Sequence, residues 1–234
     1  MRSLDPWFMG VTLAYGPAGE IYVSDWSDTG ECHSIRNTRK NTGRIYRLTH
    51  GEVVAPSVEL SELADLELVD LQWHANDWYV RHARRQLQER AARGDAMSAV
   101  HRRLLHKFSE AGLDVPRKLR ALWALHVTDG LDESLLLQCL SHASEDVRAW
   151  AVTLLCESGQ PTEALLQRCV EMSRADESPL VRLNLACALQ RLPSVGGEGQ
   201  HAFGGVAVEF DVDARQSDGA ADHIGSCGFG KSRA

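Results

Sequence analysis

The chain has 234 residues, which is enough for one large or two small domains with a substantial apolar core. Its formal net charge of -7 argues against a general nucleic-acid or membrane-surface binder, and no window approaches the roughly 18 apolar residues of a membrane span. The first twenty residues contain no apolar h-region and no small-residue cleavage site, so the sequence as written predicts a cytoplasmic product without a signal peptide.

Residues 1–55 have the pattern of a small antiparallel sheet. Residues 11–15 and 21–23 are rich in apolar, aromatic and β-branched side chains and flank the turn sequence Gly-Pro-Ala-Gly, so they predict a hairpin. Residues 44–48, Arg-Ile-Tyr-Arg-Leu, predict a third strand. Three strands alone leave unpaired edges and little core. We therefore interpret this segment as the end of a larger β-domain.

From residue 56 to residue 193 the apolar period changes from two to 3.6 residues, which predicts a series of helices. The clearest unit spans residues 131–159, where two amphipathic helices flank a short polar turn. One such unit cannot bury its apolar face alone, so it predicts neighbours built in the same way. The predicted helices are 59–73, 77–93, 97–111, 116–127, 132–142, 145–157, 161–173 and 179–191.

The junctions between a polar turn and the following helix recur along this region. Val-Arg pairs follow such turns at 80–81, 147–148 and 181–182, so the last two pairs lie 34 positions apart and the first two 67 positions apart. A further junction is expected near residue 115, where Pro116 suits the first turn of a helix. Four junctions at roughly this spacing indicate an α-solenoid.

These junctions resemble those of HEAT repeats, in which the turn carries Asp and the second helix opens with Val-Arg. The resemblance covers about residues 60–193 and is clearest in the sequence Asp-Val-Arg at 146–148. It implies that Asp and Arg side chains form a ladder between neighbouring turns rather than a catalytic site. The matching positions are Asp77, Arg81, Asp114, Asp146, Arg148 and Arg182.

One loop carries side chains that can bind a metal ion. Residues 25–33 contain three carboxylates, a thiol and an imidazole, which suit a hard or borderline cation. Their spacing matches no EF-hand or zinc signature, and loops are often acidic for solvation alone, so we favour solvation over metal binding. The candidate ligands are Asp25, Asp28, Glu31 and His33.

The sequence around that loop, GPAGEIYVSDWSDTGECH followed by NTGRIYRL, resembles the final β-propeller blade of membrane-bound dehydrogenase-like proteins from planctomycete-type bacteria. The order of blade and helical repeats also matches, over about residues 5–193. Those proteins resemble sugar quinoprotein dehydrogenases in their propeller and usually end in a cytochrome c domain with a CxxCH motif. The resemblance implies a truncated relative, haem c or a quinone in the parent protein, and a periplasmic or cell-envelope location. This sequence has no CxxCH, so we expect no cofactor in this chain.

The middle of the chain is basic, with eleven Lys or Arg residues against four acids between positions 81 and 120. Some helical-repeat proteins use such a face to bind a phosphate backbone. A solvated helix face paired with nearby acids is the simpler interpretation, and the acidity of the whole chain favours it.

Two further features complete the sequence prediction. Four cysteines fall on the apolar faces of predicted helices and are interpreted as small buried side chains; they are Cys139, Cys156, Cys169 and Cys187. Residues 194–234 are rich in Gly, Asp and Ser and predict a mostly disordered tail with a brief strand at 206–212.

The sequence therefore predicts a mainly α protein, in which an α-solenoid of about four HEAT-like repeats follows a short antiparallel β-segment, the remnant of a propeller blade. The predicted domains are 1–55, 56–193 and 194–234. We expect a non-catalytic scaffold and interaction module that binds a protein partner or neighbouring domains. Two alternatives stay open: part of a quinoprotein-like dehydrogenase active site completed by missing strands, and nucleic-acid binding by the basic 81–120 face.

Overall fold

The computed structural model describes residues 4–26, 43–52, 59–157, 162–191, 202–203 and 206–207. Within these ranges the protein is mainly helical, with eight α-helices and a small three-stranded antiparallel sheet. The prediction of a mainly α protein with N-terminal antiparallel strands is confirmed. The chain forms two compact units, Met1–Ala151 and Val152–Ala234.

The sheet of the first unit contains β1 (Gly10–Tyr15), β2 (Ile21–Asp25) and β3 (Arg44–Leu48), in that order. The β1–β2 connection turns at Gly19, whose φ of 81° lies in the left-handed region that glycine adopts without strain. The Gly16 N–H donates to the carbonyl oxygen of Glu20, the residue before β2, at 2.9 Å and closes the hairpin.

One face of this sheet carries apolar side chains that are only partly covered. Val23 is 6 % exposed, whereas its cross-strand neighbour Leu13 is 73 % exposed. Phe8 covers part of this face, because its ring meets the ring of Tyr46 edge-on, with the centroids 5.6 Å apart. The cross-strand rows on this face are Leu13, Val23 and Tyr46, followed by Tyr15, Ile21 and Leu48.

The predicted single helix over residues 59–73 is wrong, because the segment is broken into three short pieces. Two 3-10 turns, Leu60–Glu62 and Leu71–Trp73, flank the short helix α1 (Asp65–Asp70). Leu63 and Ala64 have extended backbone, with ψ of 144° and 157°, and interrupt the helix. The Ala64 N–H donates to Glu67 Oε2 at 2.8 Å, which stabilises the new helix start.

The remaining helices of the first unit follow the apolar period of the sequence to within a few residues. Side-chain oxygens of Asn76, Asp114 and Asp132 accept hydrogen bonds from the first backbone N–H groups of the helices that follow them, as expected for residue types that favour the N-cap. These helices are α2 (Asp77–Ala92), α3 (Ser98–Ser109), α4 (Val115–Val127), α5 (Glu133–Cys139) and α6 (Glu145–Leu155), the last of which ends in the second unit.

The core of the first unit lies among α1, α2, α3 and α4. Each helix contributes at least one fully buried aliphatic side chain, represented by Leu68, Leu87, Leu104 and Leu125. Trp150 of α6, which the apolar period predicts to point inward, is 37 % exposed. Its ring contacts the Trp123 ring edge-on at 5.0 Å, so the wide indole packs on the surface of the helices rather than inside them.

The second unit contains α7 (Glu163–Ala175) and α8 (Pro179–Arg191), close to the predicted 161–173 and 179–191. Their buried faces include Leu165, Met172 and Leu185. Cys156 and Cys169 are buried as predicted, and so is Cys139 of the first unit. The prediction that Cys187 is buried is wrong, because Cys187 lies on the side of α8 opposite the buried residues of that helix. Antiparallel strands β4 (Ala202–Phe203) and β5 (Val206–Ala207) follow. The rest of the predicted 194–234 tail lies outside the described residues.

Candidate binding site

Among the four predicted metal ligands, Asp25 lies within the described residues and Asp28, Glu31 and His33 lie outside them. Asp25 is 5 % exposed and accepts hydrogen bonds from the Met9 N–H at 3.0 Å and from Arg44 Nε at 3.1 Å. These bonds join the N-terminal segment to β2 and β3, which is a structural role. In the part of the chain that the structure describes, no group of three or more His, Cys, Asp or Glu side chains is arranged to hold a metal ion.

The polar turns before α2, α6 and α8 share one local hydrogen bond. In each turn a side chain accepts from the backbone N–H two residues later, and the helix begins at the next residue. Imidazole Nδ1 provides the acceptor in the first two turns and a carboxylate oxygen provides it in the third. The acceptor and donor residues are His74 and Asn76, His142 and Ser144, and Asp176 and Ser178, each pair at 3.0 Å.

Arg148 and Arg182 bind these turns in the same way. In both residues Nη1 donates to the backbone carbonyl oxygens six and five positions earlier in the chain. The distances are 2.9 and 3.1 Å for Arg148, and 3.0 and 2.9 Å for Arg182. Each guanidinium therefore ties the start of its own helix to the turn before it.

The turn before α2 is bound by an arginine from another helix. Arg120 of α4 donates through Nη1 to the carbonyl oxygens of Gln72 and His74, at 3.4 and 3.3 Å, and through Nη2 to Asp77 Oδ1 at 3.1 Å. Arg81, the predicted ladder residue of this turn, pairs with Asp77 at 3.3 Å within its own helix. Arg120 was not singled out from the sequence, because its role depends on how α4 packs against a turn more than 40 residues earlier.

The other two aspartates of the predicted ladder make local contacts. Asp114 caps α4 by accepting from the Arg117 N–H at 2.9 Å and also pairs with the Arg117 guanidinium at 3.1 Å. Asp146 accepts from Ser144 Oγ at 3.4 Å at the start of α6.

We expect His142 to make the stability of the turn before α6 depend on pH. Burial lowers the pKa of its imidazole below the ordinary value of about 6.5, and Lys118 and Arg148 lower it further, whereas the hydrogen bond with the Ser144 backbone opposes the shift. The folded protein then binds fewer protons at His142 than the unfolded chain, so its stability is complete above about pH 6.5 and decreases as the pH falls toward the folded-state pKa. We expect His142→Asn, which keeps a neutral acceptor for Ser144, to flatten the pH dependence of urea unfolding between about pH 7.5 and 5.5. Parallel wild-type and variant curves would contradict this role.

A surface pocket of about 570 Å³ lies where the β1–β2 hairpin meets the first two turns of α2. We call it the α2 pocket. The sheet contributes Ala14–Pro17 and Tyr22, and α2 contributes Trp78, Arg81, His82 and Arg85. The pocket therefore combines an aromatic wall with two guanidinium groups and an imidazole, and its volume lies within the range of small binding sites.

The aromatic rings of the α2 pocket are engaged by neighbouring cationic or polar groups. The Arg81 guanidinium carbon lies 5.0 Å from the centroid of the Tyr15 ring, and the Trp78 ring stacks on the His82 imidazole at 4.1 Å with an interplanar angle of 23°. The His82 ring also places Nδ1 2.7 Å from the Trp78 carbonyl oxygen. These contacts hold the wall of the pocket in place.

Positive charge accumulates beside the α2 pocket because several arginines share one carboxylate. Asp77 accepts from Arg120, pairs with Arg81, and also accepts from the Tyr15 hydroxyl at 3.1 Å. Burial lowers the pKa of the Arg84 guanidinium; Asp77 opposes this shift, whereas Arg120 and Arg81 add to it. Arg84 Nη1 is buried and has no hydrogen-bond partner within the described part of the protein.

Asn76 joins the hairpin to α2 by bonding to Gly16 and Pro17, two residues that line the α2 pocket. Its Oδ1 accepts from the Trp78 N–H at 2.9 Å, and its Nδ2 donates to the carbonyl oxygens of Gly16 and Pro17 at 2.9 and 3.2 Å. The sequence signal for a helix start identifies the cap, but it does not reveal the two bonds to residues about 60 positions earlier.

We expect Asn76→Ala to destabilise the first unit by about 2 kcal/mol, because it removes a helix cap and two hydrogen bonds to the hairpin. Asn76→Asp keeps the cap acceptor but turns an oxygen toward the Gly16 and Pro17 carbonyl oxygens in place of the donor, so its cost should be at least about 1 kcal/mol. Urea unfolding followed by circular dichroism measures both. If Asn76→Asp were as stable as the wild type, the bonds to the hairpin would contribute nothing.

Comparisons of the chain with models of known families, with curated proteins and with solved structures found no match. Among the helices that the structure describes, none is both long and apolar enough to cross a membrane.

Proposed function

We propose that this chain is a non-catalytic helical-repeat scaffold and interaction module, in which HEAT-like repeats follow a propeller-blade remnant. The observation that carries the proposal is the shared chemistry of the turns: Arg148 and Arg182, 34 positions apart, make the same pair of hydrogen bonds to their own turns. Recurrence of one turn at one spacing is typical of stacked repeats, which present extended surfaces to partners.

The sheet supports an interaction role because much of its apolar surface is uncovered. Val11, Leu13 and Ile45 are 61, 73 and 76 % exposed. Leu13 and Ile45 lie on opposite faces of the sheet, because Leu13 pairs with Val23 whereas Ile45 pairs with Ser24. Exposed apolar side chains and open strand edges are typical of strands that pack against further structure. We propose that the remaining strands of a propeller cover this surface in a parent protein, where the repeats would join a dehydrogenase-like propeller to a haem domain.

The contacts of Asp25 and of the basic residues favour this proposal over its two alternatives. Asp25 is held by Arg44 and the Met9 N–H, which is a structural arrangement rather than a catalytic one. Eight of the eleven basic residues between 81 and 120 form ion pairs with carboxylates of this chain, as expected if their charges are balanced within the protein. They are Arg81, Arg85, Arg90, Arg93, Arg103, Lys107, Arg117 and Arg120.

The proposal is tested by reading the genomic sequence on both sides and by reconstituting the complex. We expect in-frame propeller strands upstream and a CxxCH motif downstream. The upstream region, expressed as a separate polypeptide, should co-purify with this chain, and Leu13→Asp should abolish co-purification. Leu183→Asp is the matched control, because Leu183 is 60 % exposed on α8. Absence of upstream strands, or equal behaviour of the two variants, would overturn the proposal.

A further inference from the structure

The α2 pocket presents cations whose ion-pair partners are few and shared. Arg81 and Arg85 have side chains that are 50 and 73 % exposed, so their guanidinium groups are accessible to a ligand. Arg85 pairs with Glu89 at 2.7 Å, while Arg81 shares Asp77 with Arg120. Arg84 and Arg120 do not line the pocket, but they interact with Asp77 and Arg81, so an added anion at Arg81 would reduce the repulsion among these three guanidinium groups.

We propose that the α2 pocket binds an acidic segment of a protein partner, with Arg81 and Arg85 contacting its carboxylates. Guanidinium groups match carboxylates in shape and can bind them through two parallel hydrogen bonds. Pro17 and Tyr22 line the pocket and give the aliphatic part of a glutamate or aspartate side chain an apolar surface to contact. This inference rests on the proposed interaction role and gives the chemistry of one partner.

The state of the aromatic rings favours a peptide over a nucleic acid. Binding of single-stranded nucleic acid relies on aromatic faces that are free to stack with bases. Here the Tyr15 ring carries the Arg81 guanidinium, and the Trp78 ring is stacked on His82 and also packs against the core. The groups of the pocket that remain accessible to a ligand are therefore the N–H donors of the Arg81 and Arg85 guanidinium groups, which suit carboxylates.

The test uses the full chain and a fluorescent octapeptide of alternating glutamate and glycine, capped at both ends, with fluorescence anisotropy at low salt as the readout. We expect saturable binding that weakens as salt is added, and no binding of the matching glutamine–glycine peptide. Arg81→Gln with Arg85→Gln should weaken binding by at least about tenfold. Arg93→Gln is the matched control, because Arg93 lies at the end of the same helix and pairs with Asp95.

Arg85→Glu alone separates binding from folding, because Arg85 is highly exposed and its ion pair is local to α2. Loss of binding in this variant with unchanged circular dichroism supports the site. Equal binding of the peptide by the wild type and by the Arg81→Gln/Arg85→Gln variant would overturn the proposal. Tighter binding of a single-stranded oligonucleotide than of the peptide would also overturn it. So would displacement of the peptide by inorganic phosphate at concentrations where chloride of equal ionic strength has no effect. Leu13→Asp should leave peptide binding unchanged, so failure of this inference can be told from failure of the proposed function.

Discussion

Replacing Gly130 with alanine is expected to lower the free energy of unfolding by about 2–3 kcal/mol. A Cβ atom at this position would overlap the His101 ring, with the closest contact to Cδ2 and with Cγ and Nε2 at 2.8 Å. The ring cannot move away freely, because its Nε2 lies 2.8 Å from the carbonyl oxygen of Thr128. Gly130 is not among the glycines with positive φ, so the cost is steric rather than conformational.

A double-mutant cycle checks this explanation. His101→Ala removes the obstructing ring and one hydrogen bond and should cost about 1 kcal/mol by itself. In that background Gly130→Ala should cost little, which gives a coupling free energy of at least about 1 kcal/mol. Gly112→Ala is the matched control, because Gly112 has a φ of 84° and no atom near the site of its missing Cβ, so His101→Ala should not rescue it. Additive effects at positions 130 and 101 would contradict the steric account.

Replacing Asp77 with alanine is expected to lower stability by about 2 kcal/mol. The carboxylate joins the hairpin, α2 and α4, because it contacts Tyr15 Oη, Arg81 and Arg120 at 3.1, 3.3 and 3.1 Å. Its loss leaves neighbouring guanidinium groups without their shared anion. The side chain is 35 % exposed, so solvent screening keeps the effect below that of a fully buried pair.

The matched control for Asp77 is Asp95, which forms an exposed pair with Arg93 at 3.0 Å. Asp95→Ala should change stability by no more than about 0.5 kcal/mol. Asp77→Asn, which keeps a hydrogen-bond acceptor but loses the charge, should fall between the two alanine variants. Urea unfolding monitored by circular dichroism compares all three, and equal losses for Asp77→Ala and Asp95→Ala would show that the shared carboxylate has no special role.

Local patterns predict the elements of this protein better than they predict its contacts. The apolar period correctly predicts α2 to α8 because each buries a continuous stripe. It fails over 59–73, where the apolar residues fit a helix but Leu63 and Ala64 are extended and Glu67 caps a new start. The apolar period shows which side chains are apolar. It does not show that the Ala64 N–H bonds to the Glu67 side chain in place of a helical carbonyl.

The candidate site could be predicted only in part, for the same reason. Its helix-start chemistry is visible in the sequence, as is the cluster of arginines that includes Arg81 and Arg85. The second role of Asn76, the reach of Arg120 and the contribution of Tyr15 depend on how the hairpin and α4 pack against α2. Those contacts join residues between 43 and 62 positions apart, and no local pattern encodes them.

Amide hydrogen exchange of this chain, with and without the polypeptide encoded upstream, tests the proposed interaction role most directly. Within the described residues β1 pairs with β2 alone, and all six of its residues are exposed. If the sheet is a propeller-blade remnant, adding the upstream polypeptide should slow exchange in β1 by at least about tenfold and leave α8 unchanged. Unchanged exchange in β1, or equal slowing in β1 and α8, would contradict that role.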